Sequence, residues 1–321
     1  MRGRPLTGTD LAKLIRPRHH ADRTRRIDQI GGRLKHLVAD PPGARIRVVS
    51  GIDLAGTREA LRAAASRTSA LVRGVTDPAA AVPSLSWTVA ETAAHLVTGL
   101  QHYAGLVTGE TDIQEYLALA PPRATPTERG VIANARMLEE FTERDPRRLA
   151  DLLISAAENF IAVSDRRPTD EPMPAFNGLA MTVPVMASAM LGEQLLHGLD
   201  MARAVRADWT ISRAEALHVI AGVMAMIPDY VDRQKAAGLH LAYELRFRDG
   251  PRYRVTIEDG SAAVGPAGGA VDCWISADPV AYLLVGYGRS SQWASILQGK
   301  ILSAGRKPWL GAKLGQLFVK V

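Results

Sequence analysis

The sequence has one cysteine among 321 residues, few aromatic side chains (5%), and seven lysines against 32 arginines. A lone cysteine excludes an intrachain disulfide framework and any multi-cysteine zinc site. Cys273 sits in Val271-Asp272-Cys273-Trp274-Ile275-Ser276, which reads as a strand, and there an isolated thiol packs as a small hydrophobe rather than acting as a nucleophile. Long apolar runs are also missing. The longest stretch without a formal charge, between Glu171 and Glu193, contains Pro172, Pro174, Asn177 and Pro184, and its apolar residues are mostly Ala and Met, so no membrane span is expected. No apolar segment follows the basic start Met1–Arg4, so no secretory signal is visible and a cytoplasmic location is expected.

Acidic charge is scarce at one end only. Residues 1–50 carry 12 Lys+Arg against 4 Asp, whereas the remainder carries 27 against 29. A basic arm of this kind can contact nucleic acid or an anionic surface. This one has no aromatic residue to stack on bases and no DNA-binding motif, so nucleic acid is not expected as a partner and the segment reads as a partly disordered basic extension. With 47% hydrophobic and 22% charged residues, the rest of the chain is apolar enough for two ordinary cores.

From residue 51 to about 237 the pattern is helical throughout. Leu54–Val75 places Leu61, Ala65, Leu71 and Val72 in register. A second helix opens at Thr88, where Thr88 and Glu91 have the spacing of a capping box, and runs to Thr108. Helical patterns follow at Thr127–Arg144, Pro146–Arg166, Thr182–Ala207 with Pro184 in its first turn, and Ser212–Ala237. Short connections between them predict an antiparallel bundle. After Gly238 the period changes from 3.6 to 2. Tyr243–Arg248 and Tyr253–Glu258 alternate around Asp249-Gly250, Asp272–Ser276 is a further strand, and helices are expected at Asp278–Val285, Ser291–Leu297 and Trp309–Phe318. Residues 238–321 thus predict a small α+β domain, making the chain an α+β multidomain protein. Gly265-Pro266-Ala267-Gly268-Gly269 lacks the ending of a phosphate loop and reads as a turn.

The chemistry-bearing segment is Gly192-Glu193-Gln194-Leu195-Leu196-His197-Gly198-Leu199-Asp200. On a helix, Glu193, His197 and Asp200 share one face, which can supply two metal ligands and an orienting carboxylate. Glu91 and His95 form a second pair with the same spacing. Two facing pairs could clasp two metals, but Glu91 is already engaged by Thr88 as a cap, which favours one metal with His95 as its helix's contribution. Two core histidines satisfied by nearby carboxylates give the same spacing without any metal.

Trp87-Thr88-Val89-Ala90-Glu91-Thr92-Ala93-Ala94-His95-Leu96 and Gly192 to Ala202 together resemble the signature helices of the mycothiol-dependent maleylpyruvate isomerase family, part of the wider DinB-like metal-binding bundles. The resemblance covers roughly residues 55–237. It implies a DinB-like four-helix bundle in which His95, Glu193 and His197 bind a divalent metal, usually zinc, while Asp200 positions the ligands rather than adding a fourth bond. Residues 272–279 and Gln298-Gly299-Lys300-Ile301 resemble a sterol-carrier-protein-type domain, in which Tyr282, Tyr287 and Trp293 could line a pocket or fill the core.

Two imidazoles and one carboxylate leave a coordination position open on zinc. A thiol bound there loses its proton near neutral pH. The chain offers no cysteine for this, so the resemblance implies mycothiol as cosubstrate and a zinc-bound thiolate as nucleophile toward a small electrophile, in an isomerase or a thiol transferase. An anionic substrate needs a nearby cation, for which Arg203, Arg289 and Arg306 are candidates. A different class of reading is a lipid or small-molecule binding protein with a vestigial metal site, and a third is a hydrolase using bound water, which lacks a clear general base.

Overall fold

Side-chain caps set where the helices of this protein begin. In the computed structural model, which describes residues 51–319, Asp53 caps α1 (Leu54–Arg73) by accepting from Gly56 N at 3.0 Å. Thr88 and Glu91 form the expected capping box on α2 (Val89–Thr108): Glu91 N donates to Thr88 Oγ1 at 3.2 Å, and Thr88 N donates to Glu91 Oε2 at 2.8 Å. A short α3 (Ile113–Leu117) leads to α4 (Pro126–Glu140), and Asp145 caps α5 (Pro146–Val163). A small hairpin with two-residue strands, β1 (Met173–Pro174) and β2 (Ala180–Met181), precedes α6 (Val183–Val205). A further capping box, Ser212 with Glu215, starts α7 (Arg213–Met226). The basic extension expected over residues 1–50 lies outside the described residues.

The long helices α1 and α2 each pack on both α5 and α6, and α6 also packs on α7. Their shared core is rich in alanine (Ala64, Ala65, Ala93, Ala94, Ala150 and Ala157 are buried), which brings helix axes close together. Larger residues such as Leu61, Leu100, Leu153, Phe160 and Leu191 fill the remaining volume.

The expected helix Ser212–Ala237 ends at Met226. Pro228 has no amide hydrogen to donate and its ring clashes with the preceding turn, so the chain passes through a 3₁₀ turn (Ile227–Tyr230) into the short α8 (Arg233–Ala236).

The period-2 region forms a five-stranded sheet from β3 (His240–Phe247), β4 (Arg252–Glu258), β5 (Ser261–Pro266), β6 (Cys273–Ala277) and β7 (Ile301–Ala304). Its spatial order is β5-β4-β3-β6-β7, and every pairing is antiparallel except β3 with β6. Asp259 (φ 42°) and Gly260 (φ 81°) make the tight turn between β4 and β5 in the left-handed region, where Gly costs least. Strand β5 was not evident from the sequence. The glycines expected as a turn straddle its end, and Arg254 Nη1 holds that turn by donating to Gly268 O (2.7 Å) and Ala270 O (2.8 Å). Helices α9 (Pro279–Gly286) and α10 (Gln292–Leu297) follow β6. The helix expected over Trp309–Phe318 is instead two 3₁₀ turns, Pro308–Leu310 and Leu314–Leu317, in a stretch where Gly311 and Gly315 weaken helix formation.

Helix α7 joins the two layers. Ala216 and Val219 belong to the helical core, whereas Ile220 and Met224 belong to the sheet core beside Tyr243, Leu245 and Val255. Leu283 of α9 reaches back into the helical core. At the start of α7, Arg213 pairs with Asp249 (3.1 Å) and Asp278 (3.2 Å). Among the described residues, no helix is long and apolar enough to cross a membrane.

Candidate metal centre

Helix α2 carries His95 and α6 carries Glu193 and His197. Packing of α2 on α6 brings the three together across 98 residues of sequence. His95 Nε2 and His197 Nε2 each stand 3.0 Å from the same oxygen, Glu193 Oε2, and one ligand atom from each residue lies within 4.8 Å of the others. A tetrahedral ion with bonds of about 2.0–2.1 Å needs its donors about 3.3–3.4 Å apart, so the donor set fits with small adjustments. The His95 and His197 side chains are 7% and 12% exposed, whereas the Glu193 side chain keeps 38%.

The surroundings favour positive charge at this point. Burial would push the Glu193 carboxyl up, but hydrogen bonds from His197 and His95 outweigh it and hold the carboxyl well below the usual range. Burial likewise opposes a charged His197, and Asp200 and Glu193 together overcome it, pushing His197 up to about 9. A cation is therefore stabilised where both imidazoles meet the carboxylate. Buried His95 Nδ1 has no hydrogen-bond partner.

Asp200 is fully buried behind His197. Its Oδ2 lies 3.4 Å from His197 Nδ1, close enough for an ion pair but outside hydrogen-bond alignment. Arg289, from the segment after α9, clasps this carboxylate through Nε to Oδ1 (3.3 Å) and Nη2 to Oδ2 (2.7 Å). Burial raises the Asp200 carboxyl, but His197, Arg289 and Ser84 outweigh it and hold it at about 2. Arg289 is thus engaged by Asp200 rather than free for a substrate anion. Arg203 donates to the Arg289 carbonyl at 3.4 Å, and Arg306 pairs with Asp272 in the sheet layer at 2.5 Å.

Several aromatic side chains lie nearby: Trp87 opens the segment that carries the family resemblance and Tyr287 was a pocket or core candidate, whereas Tyr103 and Tyr230 carried no signal in the sequence. Trp87, just before the cap of α2, lies over the imidazoles, with ring centroids 4.9 Å from His95 and 6.3 Å from His197. The phenols of Tyr103, Tyr230 and Tyr287 are pushed up first by burial, and the nearby Glu193 charge adds to each. They come from α2, the turn after α7 and the end of α9, so only the tertiary fold gathers them. Tyr282 packs edge-on against Phe247 (5.0 Å) in the sheet core. Trp293 neither lines a pocket nor fills the core, since it is 67% exposed. Cys273 is fully buried in β6, and burial pushes its thiol up, away from reactivity.

Among solved structures, the chain is similar to the crystal structure of the mycothiol-dependent maleylpyruvate isomerase: 16% identity, 78% of this chain and 92% of that one, TM-score 0.48. A histidine-to-alanine mutant of that enzyme gives 15% identity with the same coverage and TM-score. A stereoselective inverting sec-alkylsulfatase from Pseudomonas sp. shares 14% identity over 64% of this chain and 34% of that one, with a TM-score of 0.30. No curated protein matches. Residues 61–202, which supply His95, Glu193, His197 and Asp200, match the family model described as the mycothiol maleylpyruvate isomerase N-terminal domain.

Proposed function

We propose that this protein is a metal-dependent, mycothiol-using isomerase or thiol transferase that acts on a small electrophile, with a DinB-like bundle carrying the site. The observation that carries the reading is the convergence of His95 Nε2 and His197 Nε2 on one Glu193 oxygen, inside the segment that matches the maleylpyruvate isomerase model. Bound by these three residues, a divalent ion such as zinc would lower the pKa of an incoming thiol and so supply a thiolate at neutral pH.

The chain's own groups have distinct tasks in this reading. The Asp200 carboxylate, clasped by Arg289, favours a proton on His197 Nδ1 and so leaves Nε2 to face the ion. Trp87 covers the imidazoles and keeps water from that side. The exposed flank of Glu193 leaves a way in for thiol and electrophile. Tyr103, Tyr230 and Tyr287 stay protonated at neutral pH, so their hydroxyls can donate to oxygens of a bound substrate.

Metal analysis of purified protein tests the site. About one ion per chain is expected for the wild type, with loss in both His95→Ala and His197→Ala. Unchanged metal content in both variants would remove the reading. Turnover of maleylpyruvate that requires mycothiol separates an enzyme from a carrier with a relict site.

A further inference from the structure

We infer that the β7 edge of the sheet is a docking surface for an anionic lipid membrane. Four large apolar side chains face water there: Trp293 (67% exposed) and Leu297 (87%) on α10, Leu302 (47%) on β7, and Trp309 (58%) in the turn that follows. They belong to neighbouring elements. Helix α10 packs on β7, and the Pro308–Leu310 turn packs on β7 and β6. Ser303 Oγ donates to Pro308 O at 2.9 Å and Gln292 Nε2 donates to Ala312 O at 3.0 Å, which ties the turn carrying Trp309 to β7 and the segment after it to α10. Leu302, next to Ser303 in the strand, extends from the other face of the same edge. Trp293 and Leu297, four residues apart, share a face of α10. Strand β7 ends the sheet order, so its outer side carries no further strand. Exposed apolar side chains gathered in this way mark an interaction surface.

Charge selects the occupant. From Pro279 to Val319 the chain contains neither Asp nor Glu, and apart from Arg289, which is held against Asp200, it carries Lys300, Arg306, Lys307 and Lys313. Lys300 and Lys313 are exposed, and the Arg306 side chain keeps 74% of its exposure beside Asp272, the one carboxylate that Arg306 and Lys307 share. Indoles and leucines rimmed by Lys and Arg suit the boundary between acyl chains and anionic headgroups. A second copy docked by a two-fold axis would instead set these cations against the same cations, with no carboxylate in the segment to offset them.

The test uses the full chain with vesicles of phosphatidylcholine alone and of phosphatidylcholine with phosphatidylserine. Brominated acyl chains report burial of tryptophan. Residues 1–50 contain no Trp, so their charge can attract vesicles but cannot produce this signal. Quenching is expected with the anionic vesicles, is expected to be much weaker with the neutral ones, and should disappear in the Trp293→Phe, Trp309→Phe double variant. Leu297→Ser with Leu302→Ser should lower partitioning about tenfold. The proposal is overturned by failure to bind anionic vesicles at low salt, by binding without quenching, or by dimerisation without lipid that the two leucine variants abolish.

Discussion

The end of the helical layer that gathers His95, Glu193 and His197 and the β7 edge of the sheet are arranged in opposite ways. At the first, charged groups are buried and matched: Asp200 is fully buried, and its partners Arg289 and His197 keep only 13% and 12% of their side-chain exposure. At the second, apolar groups are exposed and cations outnumber carboxylates. Each arrangement has a cost in water, and the two costs imply different partners. Buried charge is tolerated where it holds a further charge in place, such as an ion, whereas exposed indole and leucine are tolerated where another apolar phase covers them.

The largest effect that would sharpen this contrast comes from removing Arg289. Arg289→Ala leaves Asp200 buried without its bidentate partner, and urea unfolding is expected to show a loss of about 3–5 kcal/mol. A loss below about 1 kcal/mol would mean that His197 alone balances Asp200, and the contrast would weaken. Next is Gly198→Ala. A Cβ built there would lie 2.1 Å from the Trp209 ring, whose Nε1 is held by the Leu195 carbonyl at 3.0 Å and whose face lies 5.5 Å from the Arg67 guanidinium carbon. The indole cannot yield without losing these contacts, so a destabilisation of about 1–3 kcal/mol is expected from the thermal midpoint.

The two regions should also differ in their response to pH. Asp200 and Asp272, one in each layer, are both held at about 2; in Asp272 the Arg306 guanidinium is the main cause. Their folded values lie below the ordinary carboxylate value. Their contributions are therefore present above about pH 4 and lost as the pH falls through 2. His197, raised to about 9, acts in the other direction in metal-free protein. Its contribution is complete below about pH 6.5 and lost as the pH rises through 9. Stability curves of wild type and His197→Ala should therefore converge on the alkaline side, and parallel curves from pH 6 to 10 would contradict this. The smallest expected effect is at Thr88→Ala. It removes the cap of the helix that carries His95 and should cost about 1 kcal/mol, with the sheet unaffected in hydrogen exchange.

Local chemistry was readable from the sequence to the extent that it was local. The Thr88–Glu91 box, the Pro184 start and the alternation around Asp249-Gly250 each depend on residues a few positions apart, and the structure has all three. The convergence of His95 with Glu193 and His197 was suggested by two helical spacings together with a family resemblance; spacing alone was also consistent with two unrelated core histidines. The clasp of Asp200 by Arg289 spans 89 residues and left no pattern. Nothing local in the sequence placed Tyr103 or Tyr230 near Glu193. Strand β5 is built largely from Ser, Ala and Gly, and β7 (Ile-Leu-Ser-Ala) is only four residues long, so neither shows the hydrophobic alternation that reveals β3 and β4. Pro228 could have been read as the stop it is, but the apolar period on both sides masked it.

Because α7 supplies Ala216 and Val219 to one core and Ile220 and Met224 to the other, neither layer is a finished object without its neighbour. A fragment cut after Ala237 would leave α7 with a greasy flank in water and Asp200 without its guanidinium, although every residue of the matched segment would be present. Heating the intact chain should therefore melt helices and sheet in a single cooperative step.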